Sequence, residues 1–260
     1  MPGRLEGRVA IVTGAGRGIG RATAILLAED GVAVACVARN TKELEEVAAT
    51  IRKSGGKAVT IPVDLAQPSA PAETVARVVS ELGDIDILIN NAATVDPLGA
   101  TATVDADEWA YAINLNVVAP VRLTRLVLGP MLARGWGRIV NISSGVVQNP
   151  SVMAQGNAYT TSKTALEAHT LGLSTELDGS GVTCNILRPG TVDTAMQRWI
   201  REQPVQKIGT AMHDRFVRLH ESGKLVEAAE PAQALVAIVD GDTNGQVIDY
   251  STWAREQQTA

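Results

Sequence analysis

Tyr159 and Lys163 stand four residues apart in the helix-forming stretch NAYTTSK. This spacing places both side chains on one face of a helix. A tyrosine with its reference pKa of about 10 exchanges protons poorly near neutral pH, and a nearby ammonium group lowers the pKa of a phenol. The pair therefore predicts a proton-transferring tyrosine assisted by a lysine, with an ordinary surface pair as the alternative.

A second candidate is the loop TGAGRGIG, residues 13–20, which follows an apolar run and precedes a helix-like one. A helix that begins near Gly18 directs its unpaired N–H groups and positive dipole end toward this loop, an arrangement that binds phosphate. We expect Gly14 to allow a tight turn, Gly18 to let backbone approach a pyrophosphate, and Gly20 to let the helix pack closely. The spacing differs from G-x-G-x-x-G, and a plain strand-to-helix turn is the alternative.

Short apolar runs alternate with helix-compatible segments, and these elements must position both candidates. Strands are predicted in RVAIVTG, VAVACVA, KAVTIPVDL, IDILINNA, GRIVNISS and GVTCNILRPG, with helices at 18–31, 41–54, 69–82, 105–134 (broken near Pro120) and 157–178. A charged segment, 195–228, an apolar helix, 231–239, and a last strand-like GQVIDYS follow. Parallel neighbours need right-handed crossovers, which place helices on both faces. The pattern predicts one Rossmann-like α/β domain over 1–260, a doubly wound parallel sheet.

Composition limits the classes of partner. A chain of 260 residues with 45% hydrophobic content can bury a large core. A net charge of -5 and the lack of a basic run argue against nucleic acid and anionic membranes. The first residues do not resemble a signal peptide, and no run of 18 apolar residues occurs. We expect a cytoplasmic protein without a metal cluster or disulfide, with Cys36 and Cys184 as buried thiols.

Six motifs fall in the order and spacing of one family. They are TGAGRGIG (13–20), NNAA (90–93), INLNVVAP (113–120), NISS (141–144), YTTSK (159–163) and RPGTVDT (188–194). Over about residues 5–195 the chain resembles the short-chain dehydrogenase/reductases. The resemblance implies that Tyr159 is the general acid in carbonyl reduction and that Lys163 binds the nicotinamide ribose. It also implies that Ser144 hydrogen-bonds the substrate oxygen and that Asn116 holds a water of a proton relay.

Two of these assignments have a competing neighbour. Ser143 competes with Ser144, which we favour because it stands three residues after Asn141, as in the family. Strand alternation would point the two adjacent hydroxyls to opposite faces. A turn-capping hydroxyl is the alternative for either serine. Asn114 competes with Asn116, which we favour on spacing.

The cofactor preference is predicted at the end of the second strand. An NAD-binding enzyme places an acidic residue there to bind the adenosine ribose, but this chain has Ala38 followed by Arg39. Arg39 and Arg17 could both bind a 2'-phosphate, so we expect NADP(H) in preference to NAD(H). By resemblance, the other cofactor contacts are Ile19, Asp64, Leu65, Asn91, Ala92, Pro189, Gly190, Val192 and Thr194. Ala93 replaces the usual glycine, and Arg188 has no predicted role.

The substrate is the least constrained prediction. Segment 195–228 mixes apolar residues with both charge signs, so we expect a substrate lid that favours no substrate charge. The stretches GTVDTAMQRWIRE and NGQVIDYS are similar to the sepiapterin reductase and benzil reductase branch, which reduces vicinal dicarbonyls. We expect a small carbonyl or alcohol substrate and, by resemblance, a homodimer or homotetramer. A catalytically silent sensor or scaffold, and an epimerase or dehydratase, are the alternatives.

Overall fold

Seven parallel strands form a single sheet in the computed structural model, which describes residues 4–259. The strand order is β3-β2-β1-β4-β5-β6-β7. The strands are β1 (Val9–Thr13), β2 (Ala33–Ala38), β3 (Ala58–Pro62), β4 (Ile87–Asn90), β5 (Gly137–Ile142), β6 (Val182–Arg188) and β7 (Val247–Asp249). The direction of winding reverses between β1 and β4, and such a switch point opens a crevice at the carboxyl ends of the strands.

Helices cover both faces of the sheet, so the predicted doubly wound fold is confirmed. They are α1 (Gly18–Glu29), α2 (Thr41–Lys53), α3 (Ala70–Leu82), α4 (Ala106–Ile113), α5 (Ala119–Arg134), α6 (Asn157–Glu176), α7 (Ala195–Arg201), α8 (Val205–Ile208), α9 (Thr210–Glu221), α10 (Ala229–Asp240) and α11 (Tyr250–Thr259). Alternate residues of β1 point to opposite sides, as Val12 packs with α1, α2 and α10 while Ile11 packs with α3, α5 and α6.

The predicted break near Pro120 is wrong. The chain remains helical from Ala106 to Arg134, with one π-helical turn, Asn114–Val118, between α4 and α5. The N–H of Ala119 bonds the carbonyl of Asn114, five residues back. Proline is tolerated in the first turn of a helix, where its N–H is not needed, and Pro120 stands at that point of α5. The wider π-helical turn accommodates Pro120, so the helix continues to Arg134.

This long helix explains an apolar composition that could suggest a membrane. Ala106–Arg134 is long and apolar enough to cross a bilayer by length and composition, with a mean hydropathy of 1.3 over its most apolar window. Its residues Leu115, Leu123, Val127 and Met131 are nevertheless buried against the sheet. Packing in the core accounts for the composition of this helix.

The segment 195–228 folds into three short helices, α7 to α9, and a tail whose Val226 forms an isolated parallel bridge with Val192, in the loop after β6. These helices have an apolar cluster of their own. The cluster joins Ile200, Ile208, Met212 and Phe216 to Val95, Leu98, Met153 and Tyr159. We call these three helices the lid, because they lie beside the carboxyl ends of the strands.

Candidate active site

The glycine-rich loop turns sharply between β1 and α1. Gly14 and Gly18 have φ angles of 67° and 55°, in the left-handed region that favours glycine. Gly20 is required for a different reason, because a Cβ there would lie 2.3 Å from the carbonyl oxygen of Gly14 and 2.5 Å from Nδ2 of Asn91. Gly20 therefore lets the first turn of α1 pack on the loop itself.

Asn91 and Thr13 hold this loop against the end of β4. Nδ2 of Asn91 donates to the carbonyl of Thr13 at 2.9 Å and to that of Gly14 at 3.3 Å. The Thr13 hydroxyl accepts from the main-chain N–H groups of Asn91 and Ala92 at 2.9 and 3.0 Å and donates to the carbonyl of Ile89 at 3.1 Å. The loop is thus fixed by hydrogen bonds between two strand ends.

The start of α1 is suited to an anionic group. Arg17 precedes the helix in extended conformation and makes no side-chain cap, so the first N–H groups of α1 have no side-chain partner there. Gly18 and Ile19 line the adjoining cavity. Unpaired N–H groups at the positive end of a 12-residue helix bind phosphate well.

Arg17 and Arg39 line the same end of this cavity, each beside a partner. Arg39 donates to the hydroxyl of Tyr111 at 3.2 Å, and that hydroxyl is also 3.2 Å from both carboxylate oxygens of Asp64. Nη1 of Arg17 lies 3.9 Å from Oε1 of Glu43. Sequence reasoning missed Tyr111 and Glu43; the position of Glu43 four residues after Arg39, at the start of α2, was the available signal.

Ser144, Tyr159 and Lys163 meet at the other end of the cavity. The Ser144 hydroxyl lies next to Tyr159 and accepts from the N–H of Val146 at 3.4 Å. Nζ of Lys163 lies 5.7 Å from the centre of the Tyr159 ring and donates to the carbonyl of Ile142 at 2.6 Å. Consecutive turns of α6 carry Tyr159 and Lys163, and the end of β5 leads to Ser144.

Burial controls the acidity of both groups. It raises the pKa of Tyr159 above 10, and the hydrogen bond with Ser144 opposes part of that rise. Burial also lowers the pKa of Lys163 from 10.5 to about 8, against the attraction of the Glu167 carboxylate. Burial is the largest cause of the direction at Tyr159, and a lowering of its pKa by Lys163 together with an oxidised nicotinamide stays a prediction.

Asn116 lies in the π-helical turn behind the cavity wall and is fully buried. Its Oδ1 accepts from the N–H of Thr94, and its Nδ2 donates to the carbonyl of Thr94 and the hydroxyl of Ser162, each at 2.9 Å. The side-chain amide thus ties the segment after β4 to α6. Pro120, four residues later, has no N–H to offer the Asn116 carbonyl in the α-helical pattern.

Ser143 lines the same cavity as Ser144, but its hydroxyl is bonded to a carboxylate. Its hydroxyl donates to Oε1 of Glu167 at 2.6 Å, and Arg188 donates to both oxygens of the same carboxylate at 2.8 and 2.7 Å. This pairing gives Arg188 a partner that sequence reasoning missed. The available signal was the i,i+4 spacing of Lys163 and Glu167 on the face of α6 that bears Tyr159.

These groups share one cavity of about 780 Å³. Of the predicted site residues, Gly14, Arg17, Gly18, Ile19, Arg39, Asp64, Leu65, Asn91, Ala92, Ser144, Tyr159, Lys163, Pro189, Gly190, Val192 and Thr194 line it. Gly20 and Asn116 support the wall from behind without lining it. The lid closes the side beyond Tyr159 with Met196, Ile200 and Phe216, and Arg215 is the charged residue that the lid adds to the wall.

Comparison with known proteins identifies the family to which this chain belongs. The family described as short chain dehydrogenase matches residues 8–205. The chain belongs to the short-chain dehydrogenase/reductase family. It is therefore an oxidoreductase by family, and the predicted resemblance is confirmed. The 2,3-dihydro-2,3-dihydroxybenzoate dehydrogenase of Bacillus subtilis (strain 168) is 32% identical over 239 residues, 91% of this chain and 90% of that protein.

Two solved structures of this family superpose closely on the chain. An NAD+-bound xylitol dehydrogenase has a TM-score of 0.84 at 28% identity, covering 95% of this chain and 98% of its own. A single-residue variant of actinorhodin polyketide ketoreductase, with NADPH, also has a TM-score of 0.84 at 31% identity, covering 95% and 97%. The family thus includes structures with either nicotinamide cofactor, and the fold alone does not determine which one this dehydrogenase/reductase prefers.

Proposed function

We propose that this short-chain dehydrogenase/reductase is an NADP(H)-dependent carbonyl reductase with Tyr159 as its general acid. The observation that carries the proposal is the convergence of Ser144, Tyr159 and Lys163 on a cavity that extends to the glycine-rich loop. Hydride transfer to a carbonyl carbon needs a proton donor at the oxygen and a bound nicotinamide beside it. One continuous cavity offers both.

The residues present fit a dinucleotide. Gly14 and Gly18 leave the backbone of the loop accessible, and the unpaired N–H groups of α1 suit a pyrophosphate. At the other end, Gly190 has a φ of 75°, and Pro189 and Val192 line the wall where the nicotinamide would lie. Thr194 caps α7, since its hydroxyl accepts from the N–H of Gln197 at 3.4 Å. When bound, the reduced nicotinamide supplies the hydride.

Tyr159 and Ser144 act at the substrate oxygen in this proposal. Because burial raises the pKa of Tyr159, its phenol keeps the proton that a reduced carbonyl requires. The Ser144 hydroxyl, which lines the same end of the cavity as that phenol, donates to the carbonyl oxygen and stabilises the charge that develops on it. Both hydroxyls belong to rigid elements, so the substrate oxygen meets donors that are already oriented.

Lys163 and Asn116 are the other two residues of the proposed catalytic site. Lys163 binds the ribose of the nicotinamide and, as an ammonium, favours the phenolate left after proton transfer. Since the Asn116 amide is used by Thr94 and Ser162, its part in a proton relay falls to its main-chain carbonyl rather than to the side chain. The role of Asn116 thereby combines a structural amide with a carbonyl that can hold water.

Replacing Tyr159 by phenylalanine tests the proposal. We expect Tyr159→Phe to lower the rate of NADPH oxidation by about 10²- to 10⁴-fold, because the general acid is lost. Turnover is measured with a panel of candidate substrates that contains vicinal diketones, pterin ketones, aldehydes and β-ketoacyl thioesters. NADH replaces NADPH as the cofactor control. The affinity for NADPH, followed by its fluorescence, should change little.

The matched control is Tyr250→Phe, since that hydroxyl donates to Glu230 rather than facing Ser144. Retained turnover in Tyr159→Phe would remove Tyr159 from the role of acid. Binding of NADPH by the native protein without turnover on any compound would favour the sensor or scaffold. Cofactor that copurifies tightly and is not exchanged would favour an epimerase or dehydratase.

Preference for NADP(H) is proposed from Arg39 and Arg17. Arg39 is held by Tyr111, which Asp64 orients, so its guanidinium is already placed for a 2'-phosphate. We expect Arg39→Ala to lower the ratio of kcat/KM for NADPH to that for NADH by about 10-fold or more, the scale of a lost charged hydrogen bond.

The control for Arg39→Ala is Arg21→Ala, an exposed arginine on α1. An unchanged NADPH-to-NADH ratio in Arg39→Ala would defeat the 2'-phosphate argument. Glu43 opposes the phosphate from beside Arg17, so Glu43→Gln should raise the same ratio.

The substrate is proposed to be a small carbonyl compound with an apolar body. Val95, Met153, Ile200 and Phe216 form the apolar cluster next to Tyr159. A pocket of this kind binds by shape and burial of apolar surface. The finer resemblance to the sepiapterin reductase and benzil reductase branch remains a prediction that the diketones and pterins of the panel test.

We also propose a homodimer or homotetramer and a cytoplasmic location. Leu126 and Leu132 on α5 and Leu171 on α6 are exposed, and these helices are the two that the family resemblance assigns to subunit contacts. Exposed leucines on adjoining helices are typical of an interface. The net charge of -5 and the buried thiols of Cys36 and Cys184 support the cytoplasm.

A further inference from the structure

A buried carboxylate outside the proposed reaction lies directly beneath the catalytic helix face. Glu167 is 6% exposed, yet three donor groups reach its two oxygens. The Ser143 hydroxyl and Nε of Arg188 share Oε1, at 2.6 and 2.8 Å, and Nη2 of Arg188 reaches Oε2 at 2.7 Å. Such a fork of two parallel bonds fixes both the distance and the plane of the partners.

The partners of Glu167 come from the three segments that form the reacting end of the cavity. Ser143 precedes Ser144 at the end of β5, and Arg188 is the last residue of β6, directly before Pro189 and Gly190. Glu167 itself lies one turn beyond Lys163 on α6. One carboxylate thus joins the strand that carries the serine, the helix that carries the tyrosine and lysine, and the nicotinamide wall.

We propose that Glu167 is a positioning residue, which sets the relative places of Ser144, Lys163 and the segment from Pro189 through its bonds to Ser143 and Arg188. The inference rests on the proposed function for its activity readout. Main-chain bonding between β5 and β6 aligns the strands, as the N–H of Ser143 bonds the carbonyl of Leu187 at 2.8 Å. That bond does not fix α6 against either strand, whereas the Glu167 side chain does.

Stabilisation of the fold does not explain why Glu167 and Arg188 are paired. Removing two opposite charges from water costs about as much as their attraction returns, and apolar residues of similar size often stabilise such a site equally well. A buried salt bridge that joins separate segments of a reaction site therefore has a different use. Its directed bonds define one arrangement, where apolar packing would tolerate several.

Glu167 also affects Lys163 by its charge. Burial lowers the pKa of Lys163 to about 8, and the carboxylate one turn away opposes that fall. The other groups near the ammonium are the Tyr159 phenol on α6 and the Ile142 carbonyl on β5, while Ser143 and Arg188 contact the Glu167 carboxylate itself. Loss of the carboxylate should therefore lower the pKa of Lys163 further.

Two variants separate positioning from stability. Glu167→Gln keeps the shape of the side chain and removes its charge. The triple variant Ser143→Ala, Glu167→Leu, Arg188→Met replaces every polar member with an apolar one, so no buried charge remains unpaired. We expect Glu167→Gln to lower both Tm and kcat/KM. The triple variant should recover Tm while its kcat/KM stays about 100-fold low, the scale of a misplacement near 1 Å.

The pH profile and cofactor affinity give two further readouts. In Glu167→Gln, activity should begin to fall at a lower pH than in the native enzyme, a change that a merely structural role would not cause. The Kd for NADPH, measured without substrate, should rise about 10-fold in the triple variant because the wall beginning at Pro189 has lost its anchor. The control is Glu81→Gln, which breaks an exposed pair with Arg77 on α3.

The outcomes are distinct. A triple variant with native kcat/KM and native NADPH affinity would overturn the proposal, as would a Glu167→Gln enzyme with an unmoved pH profile. If the triple variant does not fold, Glu167→Gln decides by its pH profile and NADPH affinity. If the native protein reduces no carbonyl, the proposed function fails, while the NADPH affinities still test whether Glu167 positions the nicotinamide wall.

Discussion

The two walls of the cavity are built in different ways. The cofactor wall consists of strand ends and a glycine-rich loop, held by main-chain groups and by short bonds such as those of Thr13 and Asn91. The lid wall consists of three short helices that meet the rest of the protein through an apolar cluster around Ile200 and Phe216. Directed hydrogen bonds define the first wall, and side-chain volume defines the second.

This difference separates the reaction from its substrate. Backbone geometry and buried polar groups tolerate few substitutions, because each lost bond leaves an unpaired group or a steric clash. Apolar contacts can be exchanged at similar volume with small cost. A fold of this kind can therefore keep one hydride-transfer site while its lid changes, so the cofactor wall identifies the chemistry and the lid determines what enters.

The largest expected effect comes from one methyl group on the cofactor wall. Gly20→Ala would place a Cβ at 2.3 Å from the Gly14 carbonyl, where backbone rather than a flexible side chain is in the way. The loop or α1 must shift, and we expect NADPH affinity to fall by about 100-fold or more. Fluorescence titration with NADPH measures the affinity.

Gly129→Ala on α5 is the matched control, since its Cβ meets no atom within 4 Å. It should leave NADPH affinity unchanged and raise Tm slightly, because alanine favours helix over glycine. A Gly20→Ala protein with native affinity would show that the cofactor wall is as adaptable as we hold the lid to be, and would remove the contrast between them.

A pH series tests the cofactor side next, because Tyr159 and Lys163 are both buried there. In the mechanism that we propose, reduction requires the Lys163 ammonium, whose pKa is lowered to about 8, and the Tyr159 phenol, whose pKa is raised. We expect kcat/KM for NADPH-dependent reduction to fall about tenfold per pH unit above pH 8. The enzyme should lose activity long before Tyr159 loses its proton.

Stability should change in the opposite direction over the same range. Lys163 has a pKa of about 8 when folded and 10.5 as its ordinary value, so between these values the unfolded chain binds more protons. The contribution of Lys163 to the free energy of unfolding therefore rises with pH in that window and is least favourable below pH 8. Urea unfolding of the native protein and of Lys163→Met checks the sign; parallel loss of activity and stability would contradict it.

The strands and the cofactor wall were accessible to sequence reasoning because their signals are local. Continuous apolar runs indicate strands covered on both faces, and a glycine-rich turn before a helix indicates a phosphate site. Most motif residues from Gly14 to Thr194 line the cavity, and four of the six motifs stand at a strand end, whereas INLNVVAP and YTTSK lie in helices. The burial that raises the pKa of Tyr159 could not be predicted, since burial depends on the whole packed structure.

The missed features depend on distant partners. Ser143 and Arg188 lie 24 and 21 residues from Glu167 in sequence, so the network appears only when β5, α6 and β6 are side by side. At the π-helical turn Asn114–Val118, Pro120 signals a change in the helix, but the bonds of Asn116 to Thr94 and Ser162 depend on tertiary packing. Local patterns could predict which segments meet, and not which side chains bond across them.

The smallest effect is expected at the lid. Nε1 of Trp199 on α7 donates to Oδ1 of Asp96, after β4, at 3.2 Å, and the Trp199 side chain is 43% exposed. A solvent-exposed hydrogen bond of this kind contributes about 1 kcal/mol to the free energy of binding. Trp199→Phe should therefore raise KM about two- to fivefold, with kcat and Tm unchanged. Asp96→Asn retains an acceptor oxygen and should match the native enzyme. A fall in kcat as large as the rise in KM would mean that this contact orients the reacting groups, and the lid would then share in the chemistry that we assign to the cofactor wall.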